Sequence, residues 1–247
     1  MPELFGHTRA RVAVRHALIT PDNHVASNVP GITGAVTVIL INEAMGAQFA
    51  QLLVTFQKGG CATFGQESVQ TFGYVISGEV TVMLAGKKVR CRTGDYFYAP
   101  AGERCDLLTP KPGSRLTLFQ KKYVPLPGTA APAAIIGDAA NIKGIPFLGD
   151  PAAKLQVLLP DVPAFDMAVN LFAYQPGGHL PFVEVHAMEH GLLMLDGEGV
   201  YRMEDAWYPV RAGDAIWMAP FCAQWFVAMG KKPARYLYYK DVNRPAL

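Results

Sequence analysis

GGHLPFVEVHAMEHGLLMLDGEG, residues 177–199, ends in an apolar run that breaks at a glycine turn. GQESVQTFGYVISGEV, residues 65–80, ends the same way. GYVISGEV (73–80) aligns with LLMLDGEG (192–199), Gly78 falling on Gly197. The same step of 119 residues sets TGDYFYAPAG (93–102) against AGDAIWMAPF (212–221). Give or take a one-residue gap, it also sets SRLTLFQKKY (114–123) against ARYLYYKDVN (234–243), with Lys121 placed on Lys240. Self-similarity at one fixed period marks a duplicated domain. The repeated unit is made of short Val-, Ile-, Tyr-, Phe- and Leu-rich runs cut by Gly, Pro, Asp and Asn, which is the rhythm of strands and tight turns. The 24 glycines and 19 prolines fit that reading. The expected fold class is therefore all-β.

Composition narrows the partners. Of the 247 residues 51% are hydrophobic and 17% charged, so the chain has enough apolar material for a large core. The formal net charge of +2 predicts neither a nucleic-acid nor a membrane-surface partner. There is no uncharged apolar stretch of spanning length, and MPELFGHTRARVAVRH lacks the apolar run of a secretory signal. The four cysteines form no CxxC pair and are expected as buried thiols in a reducing, cytoplasmic setting. The organisation predicted is an N-terminal arm at 1–35, a first domain at 36–124, a linker at 125–163 and a second domain at 164–247. The segment ALITPDNHVASNVPG (17–31) is expected to be an ordered arm that packs on another copy.

Half of the six histidines, His179, His186 and His190, fall in the opening stretch with Glu184 and Glu189. If 183–187 is a strand, alternation puts Glu184 and His186 on one face and Val183 and Val185 on the other. His190 follows before the run into Gly197, so one carboxylate and two imidazoles at E-x-H-x3-H can converge on a cation. His179 precedes this strand and is expected on the surface. Glu189 is expected to point away and form a salt bridge.

The spacing resembles the cupin motifs G-x5-H-x-H-x3,4-E-x6-G and G-x5-P-x-G-x2-H-x3-N. Gly178, Glu184, His186, His190 and Gly197 fit the first, with Glu in the first His position and His in the Glu position. After 15 residues Gly213 opens the second, which places Gln224 at its His. Ala219 and Phe221 depart from that motif's Pro and Gly. Together with EVHAMEHG, the duplication and YLYYKDVNR, the chain resembles the bicupin (S)-ureidoglycine aminohydrolase family of purine (allantoin) catabolism. The resemblance implies two tandem jelly-roll barrels and a homo-oligomer. It implies a metal held by Glu184, His186, His190 and Gln224, and a small anionic ureido or amino acid substrate that loses ammonia by hydrolysis.

One carboxylate, two imidazoles and an amide oxygen suit Mn2+, with Fe2+ and Co2+ as alternatives. The resemblance further implies Glu184 and Lys240 as catalytic residues, with Tyr236, Lys240, Gln224 and Tyr201 on the substrate. Alternation leaves the last strand ambiguous: Tyr236, Tyr238 and Lys240 share a face, but that face is either the barrel interior or solvent. Two other functions stay open, an Fe2+ dioxygenase acting on a small acid and a cupin that only binds a ligand. In the first copy the four ligand positions carry Gly65, Glu67, Thr71 and Cys105, so a metal is expected only in the second.

Overall fold

A computed structural model describes residues 8–108 and 110–245 of the chain; the first seven residues of the expected arm lie outside them. Strands dominate, and the helical turns among the described residues are three short 3-10 segments, Pro21–Asn23, Glu43–Met45 and Ala139–Asn141. Among the described residues no helix is long and apolar enough to cross a membrane. The first half forms a ten-stranded sheet that curls around its own apolar interior. In the second half an eight-stranded sheet faces a three-stranded one, Ala206–Arg211, Glu198–Met203 and Gln224–Ala228, across a second interior. A third apolar layer lies between the halves, where their sheets meet back to back. All four cysteines are free thiols, three of them buried.

The recurring Gly-Asp pairs have a local cause. Gly94 and Gly213 sit at φ 96° and 93°, in the left-handed region that favours glycine. The aspartate that follows turns back to accept a backbone N–H three residues earlier, Asp95 from Arg92 (2.7 Å) and Asp214 from Arg211 (2.9 Å). The same turn is thus built twice by the same two residues.

Alternation on the last strand of each half divides its side chains between two cores. On Ala234–Asp241, Tyr236 and Tyr238 enter the second barrel, while Leu237 and Tyr239 enter the layer between the halves. Tyr239 stacks there on Phe119 from the other half, ring centroids 5.8 Å apart.

Strand register corrects one of the sequence pairings. Lys240 lies opposite His190, whereas Gln120, not Lys121, lies opposite Thr71. The chain from Gln224 to Lys240 is one residue longer than that from Cys105 to Gln120, and a one-residue shift sends every following side chain to the other face. Lys121 therefore corresponds to Asp241 and points between the halves. It is 6% exposed and ion-paired to fully buried Asp166, which also accepts from Gln70 Nε2 (2.6 Å) and the Val124 backbone N–H (2.8 Å). Removing one partner of such a pair strands the other charge in apolar surroundings. Asp166→Asn is expected to lower unfolding stability by about 3–5 kcal/mol, read as a fall in the urea midpoint at constant slope.

The ends of each half are supplied crosswise. His16–Ile19, from the N-terminal arm, pairs antiparallel with Ala215–Met218 of the second half. Arg9 grips Asp214 with two 2.8 Å bonds beside it. Ile135–Asp138, from the segment expected as linker, pairs with Asp95–Ala99 of the first half. Ile145–Phe147 and Asp150–Val157 then extend the second half's sheet. The arm expected on another copy is thus docked within its own chain, and much of 125–163 is strand. In both cases an edge that would otherwise expose unpaired backbone groups is covered.

Candidate functional site

The second barrel's interior is apolar at its base and polar at one end. From the base, Tyr174 and Tyr236 share a hydrogen bond between their hydroxyls (3.0 Å), and Asn170 Nδ2 donates to Tyr238 Oη (3.1 Å). Higher up, strands His190–Asp196 and Ala234–Asp241 bring His190 and Lys240 side by side. The segment expected as a strand over 183–187 is irregular. It joins the barrel through a one-residue bridge, in which Glu184 and Gln224 exchange backbone hydrogen bonds of 2.8 and 3.0 Å, and through the Phe221 N–H, which donates to the His186 carbonyl at 2.7 Å. Alternation survives there all the same: Val183 and Val185 are exposed, while Glu184 and His186 turn inward.

These elements enclose a cavity of about 140 Å³. Every site residue nominated from the sequence lines it: Glu184, His186, His190, Gln224, then Tyr201, Tyr236 and Lys240. The ambiguity over the last strand is thereby resolved, with Lys240 facing the cavity and Tyr239 buried behind it. His179 is exposed and takes no part.

Hydrogen bonds assign roles within the group. His186 Nδ1 lies 3.1 Å from the Met188 carbonyl, which fixes the proton on Nδ1 and leaves Nε2 a lone pair. That Nε2 lies 3.1 Å from Gln224 Nε2, while Gln224 Oε1 accepts from the Tyr201 hydroxyl at 3.1 Å. The His186 and His190 rings are 4.8 Å apart. His190 Nε2 is buried and has no hydrogen-bond partner.

Electrostatics favour neutral imidazoles. Burial holds His190 well below the ordinary histidine range, and His186 and Lys240 push it further. His186 is lowered by burial and then by Lys240. Burial raises the Glu184 carboxyl, with Lys240 opposing.

Whether these residues suit a metal ion depends on donor type, placement and closeness. Two neutral imidazoles, a carboxylate and an amide oxygen form a donor set for a hard-to-borderline divalent ion. The partnerless His190 Nε2 is the kind of buried atom that such an ion would satisfy. Among the described residues, however, no three His, Cys, Asp or Glu side chains sit close enough to hold an ion as they stand. The fit is thus in kind and location, with side-chain rotation needed to close the set.

The first half shows the same place without this chemistry. Its cavity, about 440 Å³, is lined by Gly65, Thr71 and Gln120 where the second has Glu184, His190 and Lys240. Cys105 is buried in the first barrel's apolar interior and Glu67 is exposed.

Two groups escaped the sequence reading. Asn170 and Tyr174 join the barrel's polar network, and their signal was the polar alternation in MAVNLFAY. Glu189 does point away from the set as expected, but the salt bridge predicted for it is absent among the described residues. Its carboxylate instead accepts the Gln48 backbone N–H from the first half. Burial pushes this carboxyl up to about 7.

Comparison with known proteins agrees with the geometry. A EutQ-like cupin domain profile matches residues 43–121 and a cupin domain profile matches 170–239. The (S)-ureidoglycine aminohydrolase of Arabidopsis thaliana is 37% identical over 100% of this chain and 82% of its own length. The Escherichia coli (strain K12) enzyme of that name is 36% identical over 95% of this chain and 92% of its own. The crystal structure of the E. coli protein Ylba superposes with a TM-score of 0.87 and 33% identity, covering 97% of this chain and 96% of that one.

Proposed function

The chain is a two-domain cupin enzyme of the (S)-ureidoglycine aminohydrolase family, and on that premise we propose that it hydrolyses (S)-ureidoglycine to (S)-ureidoglycolate and ammonia. The observation that carries this reading is the polar cavity of the second barrel, where Lys240 faces Glu184, His186, His190 and Gln224. A cavity of about 140 Å³ suits a small molecule with a carboxylate, an amine and a ureido group on one carbon.

Mn2+, with Fe2+ or Co2+ as alternatives, would be held by Glu184, His186, His190 and Gln224, and supplies Lewis-acid polarisation and orientation of the substrate. The other parts belong to the chain. Lys240 binds the substrate carboxylate, since a positive charge half-buried in the cavity wall needs a counter-charge. Tyr236 and Tyr201 flank the cavity and orient the ureido group, Tyr201 through the hydroxyl that also holds Gln224. Glu184 accepts a proton from the attacking water, whose oxygen bonds to the central carbon. The C–N bond to the amine breaks as the leaving nitrogen takes that proton from Glu184, so that ammonia departs and the carboxylate is restored. Because Glu184 and Lys240 are fixed on the cavity wall, water reaches one face only, which preserves a single stereoisomer.

The same reading makes the enzyme a cytoplasmic homo-oligomer in purine degradation. Phe182 and Trp207, both more than half exposed, are surface that a second copy would bury.

The test is ammonia release from freshly prepared ureidoglycine by chelated and Mn2+-reloaded protein. Activity is expected to fall to background on chelation and to return with Mn2+. Consumption of O2 on a small acid without ammonia release would instead make the protein a dioxygenase. Bound metal with no turnover would make it a binding protein.

A further inference from the structure

Behind the cavity, the strand His190–Asp196 lies directly on the first domain. A Cβ at Gly191 would come within 2.4 Å of the Phe49 ring, so only glycine allows this approach. Glu189, one residue before His190, is 2% exposed, and its side chain is directed into this contact. Its two carboxylate oxygens accept the Gln48 backbone N–H at 3.1 and 3.2 Å, and Trp217 Nε1 donates to one of them at 3.4 Å. Its own backbone N–H donates to Asp241 Oδ1. Asp241 follows Lys240, and Lys240 is the ladder partner of His190. One buried acid therefore ties together the residues flanking two members of the site and a backbone amide from the other domain.

We propose that Glu189 is a positioning residue, through which the first cupin domain fixes the orientation of His190 and, by way of Asp241, of Lys240. The functional consequence rests on the reading of His190 as a metal ligand.

The first half of the molecule separates this role from simple adhesion between domains. By strand register, Gln70 corresponds to Glu189, Lys121 to Asp241, and Asp166 to Gln48. There the same three places join through Gln70 Nε2 to Asp166 (2.6 Å) and the Lys121–Asp166 pair. That set also bridges the domains, but the residue after Gln70 is Thr71, which is no metal ligand. At 189 the two partners both donate, and a carboxylate is the side chain that offers acceptors alone. Groups that hydrogen-bond a metal-ligating imidazole typically govern metal affinity by about 10–100-fold, and Glu189 fixes the backbone that carries such an imidazole.

The experiment uses the full chain, chelated and then titrated with Mn2+, with free Mn2+ read by electron paramagnetic resonance. Glu189→Ala is expected to weaken Mn2+ binding by about 10–100-fold, and Glu189→Gln, which keeps one acceptor, should recover part of that loss. Asp166→Asn loosens the matching contact of the pseudo-repeat, where the Asp166 side chain bonds to Gln70, Lys121 and the Val124 backbone rather than to Glu189. It should lower the melting temperature while leaving Mn2+ affinity within about twofold, because the hydrogen bonds of Glu189 to Gln48 and Asp241 stay in place. Wild-type affinity in Glu189→Ala, or an equal loss in Asp166→Asn, overturns the proposal. If the wild-type chain takes up no Mn2+, the metal reading fails, and the metal-free proteins are compared by the His190 ring resonance. A resonance broadened in Glu189→Ala and sharp in Asp166→Asn still upholds the positioning role; one unchanged in Glu189→Ala overturns it.

Discussion

His190→Ala is expected to lower kcat/KM for ammonia release by about three orders of magnitude and to abolish tight Mn2+ binding. His190 is the most enclosed of the three ionisable candidates, 6% exposed, with an Nε2 that has no protein partner. Its burial keeps the ring neutral, so a lone pair is available at neutral pH. Metal-supplied stabilisation of a transition state is worth several kcal/mol, and at about 1.4 kcal/mol per decade this gives the expected loss. The substitution also leaves a void, so thermal melting and circular dichroism must accompany the kinetics. A folded variant that binds Mn2+ normally and keeps activity within tenfold would remove His190 from the ligand set.

Lys240→Met is expected to cut kcat/KM by about 100-fold while leaving Mn2+ content near wild type. The methionine retains much of the apolar stem and removes the charge. Truncating one member of a buried charge pair costs about 2–5 kcal/mol, and the lower half of that range corresponds to the predicted loss. The effect should fall on substrates that carry a carboxylate and shrink for a neutral amide analogue. Equal losses for both substrates would show that Lys240 acts elsewhere than on the carboxylate. Lys240→Arg is not expected to restore the rate, because a broad planar guanidinium replaces a compact ammonium in a cavity of about 140 Å³.

The parts legible in the sequence were those fixed by local chemistry. The Gly-Asp turns recur because each needs a left-handed residue and a side-chain acceptor at adjacent positions, which made the duplication readable. The candidate site was readable because Glu184, His186 and His190 lie within seven residues of one another. The misreadings have nonlocal causes. Lys121 and Lys240 look equivalent, but one extra residue between Gln224 and Lys240 puts them on opposite faces, and only register reveals it. The 183–187 segment alternates like a strand yet finds a partner at a single bridge. The arm's destination depends on which sheet edge is open, and Glu189 depends on an amide 141 residues away. No window of sequence contains either piece of information.

The crosswise supply of edge strands gives the molecule an unusual divisibility. The sequence suggests two modules joined by a linker at 125–163, and a cut within its first part, 125–134, severs no strand. Yet the fragments would each hold the other's border. The N-terminal piece would carry His16–Ile19, made for the second barrel, and the C-terminal piece would carry Ile135–Asp138, made for the first. Either piece alone would present an uncovered edge to other chains and tend to aggregate.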